Sequence, residues 1–501
     1  MKRLRTRDYL IIGIAGMVGV VFFILTSHFL YRIGFPLDDA WIHQTYARNI
    51  ALRGEFSFIP GQPSAGSTSP LWTILLVPGQ FLEMPGAIYY GYFLGFGCLV
   101  LIGLFGELLF RTILAPESQL VEQKKRKIPV AGLVLMTEWH LVWAACSGME
   151  TGLYTAMILL VLMLSWKGKT PAFWLGVLVG LSIWVRPDGI TLLGPVGLML
   201  IVYGGDWKDR GRKISLLLLG LLIPLAGYLL FNISLSGSFW PSTFYAKQAE
   251  YASLWRTGIL TRFIQLARLP LVGIGILLLP GFLFQAWMIV QKRKWKHAAL
   301  LLWWLGYTAI YAYRLPVEYQ HGRYLIPAMP VYFLLGLIGT EEAFSRLNIN
   351  SRMRRLVGFA GKAAAVLIIA AFLVTGAQAY ATDVAIIETE MVDTAIWLRD
   401  HTSPGDLLAV HDIGAVGYFS ERQIVDLAGL VTPEVIPFIR DEGALADYLD
   451  DRNVAYLVVF PDWYPSLQAS KEIVFQTRGR FSVAEGGMNM TVYRWNSENS
   501  R

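Results

Sequence analysis

The sequence predicts a polytopic α-helical membrane protein of about eleven transmembrane helices, followed by a small extracytoplasmic α/β domain. Three observations lead there. The 501 residues are 55% hydrophobic, 13% aromatic and only 16% charged, which excludes a soluble protein of ordinary composition. Apolar segments of roughly membrane-crossing length recur along residues 1–377. After Ala377 the sequence turns mixed and polar, with short apolar runs alternating with helical ones. The net charge of +7 is the kind of excess that collects in cytoplasmic loops, so no nucleic-acid partner is expected. Cys98 and Cys146 stand far apart inside or beside apolar segments, and neither a disulfide framework nor a thiolate metal site follows from them.

Residues 9–29, preceded by "MKRLRTR", are long for a cleaved signal peptide and read as a retained signal anchor. Further apolar segments follow at about 86–110, 129–145, 151–166, 171–185, 189–203, 214–232, 269–290, 297–313, 323–340 and 356–377. Several are short for a simple span, which fits tilted or broken helices meeting a polar cavity. Loops on the side of the N-terminus carry 23 Lys and Arg, including the basic run in 111–128, against 10 in the opposite loops. The N-terminus is therefore expected in the cytoplasm and residues 378–501 outside. In that tail, "TEMVDTAIWLRDHTSPGD" reads as a helix stopped by Ser-Pro-Gly, "LLAVHD" and "VAYLVVF" as short buried strands, and "DEGALADYLDDR" as a helix between them. Such alternation predicts a partly parallel sheet. Neither strand is followed by a glycine-rich phosphate loop, so no nucleotide is assigned.

With this topology the polar clusters fall on the outer side. In the first outer loop, residues 30–70, the stretch "GFPLDDAWIHQTYARNIA" sets Asp38 and Asp39 directly after the first apolar segment. Asp39 is expected to cap a helix whose Ile42, Tyr46 and Ile50 make one apolar stripe, lying along the outer membrane surface. One carboxylate suffices for a cap. Asp38 is then either simply solvated or, beside the hydrocarbon boundary, a proton acceptor whose pKa desolvation raises. "STSPLW" reads as Ser69 capping a helix with Pro70 in its first position. Glu150, in "SGMETGLYTA", stands where a span begins, and suits either the helix dipole or a buried functional role. Arg186 and Asp188 flank Pro187 and are able to pair with each other, yet an arginine at a span end is also a partner for a lipid phosphate. Lys247, His321 and Arg323 read as snorkelling side chains singly and as an anion site together. His43, His321 and His411 lack a metal-type spacing; a divalent cation held by carboxylates stays open.

Taken together, "PLDDAWIHQTYARNIALRGEFSFIPGQPSAGSTSPLW", "SGMETGLYTA", "VRPDG", "YAK", "GRYLIP" and "HDIGAVGYFSERQIVDLAGL" resemble the motif series of polytopic GT-C glycosyltransferases. The resemblance is strongest to the mycobacterial terminal arabinofuranosyltransferase group, with the protein O-mannosyltransferases and lipid A aminoarabinose transferases as broader relatives. It covers nearly the whole chain, and the acidic pair is its most specific part. It implies a GT-C catalytic domain over residues 1–377 and an α/β domain over 378–501. It also implies a polyprenyl-phosphate sugar donor and a glycan, lipid or protein acceptor on the outer face of the cell membrane. By position, Asp38 resembles the family's catalytic aspartate and Asp39 the neighbour that orients the site. Arg186, Lys247 and Arg323 are then candidates for the donor phosphate, and Glu150, Asp188 and His321 for the sugar or a supporting layer. His411, Asp412 and Asp426 end apolar strands, where binding groups collect in open α/β sheets. The rival from another class is a lipid-linked sugar flippase or transporter, which needs polar groups along a path through the membrane; a membrane-anchored sensor would not require charged motifs in five outer loops.

Overall fold

The computed structural model describes residues 4–114 and 128–495; the basic run Lys124–Lys127 lies outside them. All eleven apolar segments are helical. Helix α1 (Thr6–Leu30) leads to α2 (Asp38–Arg53), which ends in a left-handed Gly54 whose N–H returns to Asn49 and Ile50. A short hairpin, β1 (Ser57–Ile59) and β2 (Gln62–Pro63), precedes α3 (Pro70–Leu76), with Ser69 at its N-cap and Pro70 in its first turn. The long α4 (Gly86–Ile113) follows. The segment expected at 129–145 is two eight-residue helices, α5 (Val130–Thr137) and α6 (Trp139–Cys146), broken at Glu138, whose carboxylate caps Leu141 N–H.

Next come α7 (Thr151–Lys167), α8 (Ala172–Val185), α9 (Leu193–Tyr203) and α10 (Trp207–Ser236). Helices α8 and α10 approach closely because a Cβ at Gly176 would collide with the Leu217 carbonyl, and one at Gly220 with that of Phe173. Small residues at a lipid-embedded interface allow this backbone contact. Two short helices, α11 (Ser242–Glu250) and α12 (Ile259–Ala267), connect to α13 (Gly275–Lys292) and α14 (Trp295–Arg314). One irregular turn, α15 (Tyr319–Gly322), leads into α16 (Met329–Arg346). Among the described residues six helices are long and apolar enough to cross a membrane, and three shorter apolar ones accompany them.

The start expected for a separate helix near residue 388 is not a start. Helix α17 (Ser351–Ile387) continues through a π-turn at Glu388–Val392 into α18 (Asp393–His401). The apolar run at 356–377 and the polar run after it are therefore one rod, whose composition changes while its hydrogen bonding does not. Arg32 fastens the first loop to this rod through Glu388 (2.6 Å) and Asp393 (2.6 Å).

The rod ends on a five-stranded sheet of β3 (Leu407–Val410), β4 (Gln423–Asp426), β5 (Tyr456–Val459), β6 (Glu472–Gln476) and β7 (Thr491–Arg494), in the order β4-β3-β5-β7-β6. Strands β4, β3 and β5 are parallel, and β7 and β6 add antiparallel. This is the partly parallel sheet expected, with Asp426 at the end of β4. Helix α19 (Ile413–Phe419) follows β3; α20 (Glu442–Asp451) is capped by Asp441, which accepts from Gly443 and Ala444 N–H; α21 (Arg480–Ala484) precedes β7.

Candidate functional site

Helix α2 does not lie on a membrane surface with one face to lipid. Nine of its sixteen residues are buried, on both faces, because α19 of the α/β domain covers it: Trp41 packs against Tyr418 and Phe419 with ring centroids 5.0 and 4.6 Å apart. Nor does Asp39 cap it. Leu37 holds the N-cap position without a side-chain hydrogen bond, and both aspartates sit in the first turn, where the helix dipole favours them.

Their carboxylates diverge. Asp38 turns to the α/β domain, where its Oδ2 accepts from Gly414 N–H (2.6 Å) and its Oδ1 from Ala415 N–H (2.7 Å). Asp39 turns to the membrane helices, with its Oδ2 2.7 Å from Arg323 Nη2 and 3.5 Å from Lys247 Nζ. Two adjacent carboxylates thus acquire opposite characters. Burial, with the neighbouring Asp39 charge added, outweighs the two amides and pushes the Asp38 carboxyl up to about 7. Burial also acts on Asp39, but the Arg323 and Lys247 cations outweigh it and hold that carboxyl below the usual range. A carboxyl titrating near neutrality beside one kept ionised is the arrangement general acid–base chemistry uses.

The Asp39–Lys247–Arg323 cluster forms the wall between two cavities. The smaller, of about 320 Å³, reaches toward the membrane helices and is lined by Glu150, Arg186 and Asp188 with the apolar side chains of Ile190, Trp240 and Phe244. Arg186 pairs with Asp188 (3.1 Å) and approaches Glu150 (3.6 Å), and its Nη2 donates to Tyr311 Oη (2.8 Å). Tyr307 and Tyr311 both donate to Asp188. Glu150 also lies 3.4 Å from His43 Nε2, while His43 Nδ1 meets Thr73 and Ser67 hydroxyls. Among the described residues, Arg323 Nε and Nη1 are buried without a hydrogen-bond partner. Such atoms are costly unless a ligand satisfies them.

The larger cavity, of about 1060 Å³, opens on the other side of that wall, between α2, α11 and the α/β domain. Asp38, Glu250, His411, Asp412, Trp463 and Tyr464 contribute to its lining. His411 Nδ1 lies 2.7 Å from Tyr464 Oη, and burial pushes its imidazole down to about 4. Burial and the carboxylates of Asp38, Glu250 and Asp39 push Asp412 well up.

Of the residues singled out from the sequence, Asp39, Glu150, Arg186, Asp188, Lys247 and Arg323 therefore meet at the smaller cavity, and Asp38, His411 and Asp412 at the larger. Two do not. His321, with a left-handed φ of 57°, packs edge-on against Trp139 and Trp143, places Nε2 2.8 Å from Asp383 and lines neither cavity. Asp426 turns into its own loop, accepting from Ala428 and Val431 N–H at 2.8 Å each. His43, weighed from the sequence only as a metal ligand, also lines the smaller cavity, and Tyr307, Tyr311 and Tyr324 were missed. The tyrosine pair had a signal, since two tyrosines four apart in an apolar helix share one face. Among the described residues no group of three or more His, Cys, Asp and Glu side chains is placed to hold a metal ion.

Comparison with known proteins fits this geometry. Residues 378–493 match a domain of unknown function (DUF8728). No curated protein matches the chain in sequence. The crystal structure of ArnT from Cupriavidus metallidurans bound to undecaprenyl phosphate superposes with a TM-score of 0.59 at 15% identity, covering 99% of each chain. Its apo form gives 0.57, also at 15%, over 96% of this chain and 97% of that one. The Archaeoglobus fulgidus oligosaccharyltransferase, tethered with an acceptor peptide containing the NVT sequon, gives 0.55 at 12% identity over 91% of this chain and 70% of that one. ArnT and the oligosaccharyltransferase are GT-C superfamily members, and the protein described here has the GT-C fold.

Proposed function

We propose that the protein is a membrane glycosyltransferase that moves a sugar from a polyprenyl-phosphate donor to an acceptor on the extracytoplasmic face. Residues 1–377 would form the catalytic membrane part and 378–501 the domain outside. The observation that carries this reading is the junction of the two cavities: a cationic pocket with apolar walls on one side of the Asp39 cluster, and a larger polar space holding Asp38 on the other. The smaller cavity suits a lipid phosphate. Arg323 keeps Asp39 with Nη2 and has Nε and Nη1 to offer a phosphate oxygen, while Lys247 and Arg186 add charge and Trp240 and Phe244 apolar contact. Glu150 and Asp188 are the acceptors of hydrogen bonds from sugar hydroxyls. His321 acts behind the site by holding Asp383, which lines the larger cavity.

In the reaction, an acceptor hydroxyl in the larger cavity attacks the anomeric carbon and gives its proton to Asp38. The bond from that carbon to the phosphate oxygen breaks, its electron pair passes to the departing polyprenyl phosphate, and Arg323, Lys247 and Arg186 stabilise the charge. That ArnT is solved with undecaprenyl phosphate supports a donor of this class. The sugar is hexosyl or pentosyl, and the arabinofuranosyl resemblance makes furanose donors the first to try. The test is purified wild-type protein, in nanodiscs and in sealed vesicles, with short polyprenyl-phosphate hexoses and pentoses and a panel of hydroxyl-bearing glycan, lipid and peptide acceptors. Release of polyprenyl phosphate is the expected result. Transfer of intact donor across vesicle walls, with none cleaved, would overturn the transferase reading in favour of a flippase.

A further inference from the structure

Helix α19 is clasped at both ends by α2. At its N-terminus Asp38 accepts from Gly414 and Ala415 N–H. At its C-terminus Arg48 Nη1 donates to the Tyr418 carbonyl (2.6 Å) and Nη2 to that of Gly417 (3.3 Å). An anion at the start and a cation at the end of a helix both complement its dipole. Asp412, in the N-cap position where a carboxylate would ordinarily cap α19, makes no capping bond, and its Oδ2 has no partner among the described residues. Asp38, from more than 370 residues away, takes that role instead. The fit is exclusive to glycine at 414: a Cβ there would collide with the Asp38 carbonyl oxygen and lie 2.7 Å from its Oδ2.

We propose that the α/β domain is a positioning element of the catalytic site, with the amides of Gly414 and Ala415 and the missing side chain at 414 setting where the Asp38 carboxylate stands. The inference rests on Asp38 being the base of the proposed transfer. It gives the C-terminal domain a task beyond covering the cavity: undocking α19 removes both donors from the base. Both oxygens of Asp38 are fixed by an N–H, and each keeps a second lone pair for the acceptor proton. The groups that bear on this carboxyl are Asp39 on its own helix, Lys247 and Glu250 on α11, Arg323 on the membrane side, and His411 and Asp412 in the α/β domain.

The experiment is an infrared titration of carboxyl groups in the full-length protein in nanodiscs, with Asp38→Asn as the blank. Wild type should show a carboxyl titrating near pH 7 that Asp38→Asn lacks. Gly414→Ala, and separately Ala415→Pro, should move that midpoint upward by about one pH unit, because each withdraws donors that stabilise the charged form. Ala415→Pro is the gentler variant, since an N–H in the first helical turn has no partner within the helix. Hydrogen exchange supplies a second readout that needs no substitution in the α/β domain: protection of the 414 and 415 amides should fall at least about tenfold in Asp38→Asn. An unmoved midpoint in both folded variants, or unchanged protection in Asp38→Asn, would overturn the proposal. Failure of wild type to cleave any donor would sink the transferase reading alone, because the titration and the exchange do not depend on turnover.

Discussion

Removing the charge of Asp39 while keeping its shape tests how the acidic pair divides its work. In wild type the Asp38 carboxyl titrates at about 7, and a general base acts only when deprotonated. Turnover should therefore fall as pH drops through 7, about tenfold per unit, so that at pH 5 about 1% of the plateau remains. Asp39→Asn takes a negative charge from the residue beside Asp38 and leaves the Arg323 and Lys247 cations, now 2.7 and 3.5 Å from that carboxylate, without their partner. Both changes favour ionised Asp38. Two charges roughly 6 Å apart at an effective dielectric constant of about 20 interact by about 3 kcal/mol, or about two pH units; with partial screening the midpoint should move down by about one to two. The assay is the pH profile of kcat/KM for release of polyprenyl phosphate between pH 4.5 and 8.5. A wild-type profile that is flat from pH 5 to 8, or an acid limb that Asp39→Asn leaves in place or moves upward, would refute the reasoning.

Other expectations address the remaining parts. Arg323→Ala removes a guanidinium that lines both cavities and whose Nε and Nη1 have no partner among the described residues; undecaprenyl phosphate should bind about 10- to 100-fold more weakly, with Arg323→Lys recovering only part, and equal affinity in a titration would place the phosphate elsewhere. Gly220→Val drives a side chain into the Phe173 carbonyl at the α8–α10 contact, and should cost about 1–3 kcal/mol, read as a lowered Tm in detergent; an unchanged Tm would mean the two helices separate freely. Trp463 is 47% exposed and lines the larger cavity; on the proposed reading Trp463→Ala should raise the acceptor KM about tenfold with donor affinity intact, and a loss confined to donor binding would contradict the division of the two cavities.

Much of the architecture was legible because it is local. A run of apolar residues becomes a helix in the membrane whatever its neighbours do, since backbone groups have no other partners there, so all eleven segments are helical. The strand text "LLAVHD" and "VAYLVVF" gave β3 and β5 because short apolar runs bounded by polar residues mark buried strands. What escaped was set by distant parts of the chain. Asp38 looked free of structural duty because its partners, Gly414 and Ala415, are backbone amides that carry no signature. Helix α2 looked amphipathic because nothing in its periodicity announces that α19 covers its second face. The change of composition at Ala377 suggested a break, although the hydrogen bonds of α17 run straight through it. The charge pattern grouped Lys247, His321 and Arg323 as converging cations; the structure sets Lys247 and Arg323 against Asp39, while a left-handed turn, which carries no signature in the charge pattern, takes His321 to Trp139 and Trp143.

The most direct measurement is a single turnover with donor already bound. Purified wild type and Asp38→Asn are loaded with the same polyprenyl-phosphate sugar, acceptor is added at pH 8, and free polyprenyl phosphate is followed in time. Loss of the base should leave donor occupancy unchanged and slow release by about 100-fold or more. Equal rates in the two proteins would show that Asp38 does not take the acceptor proton, and would contradict the account at its centre.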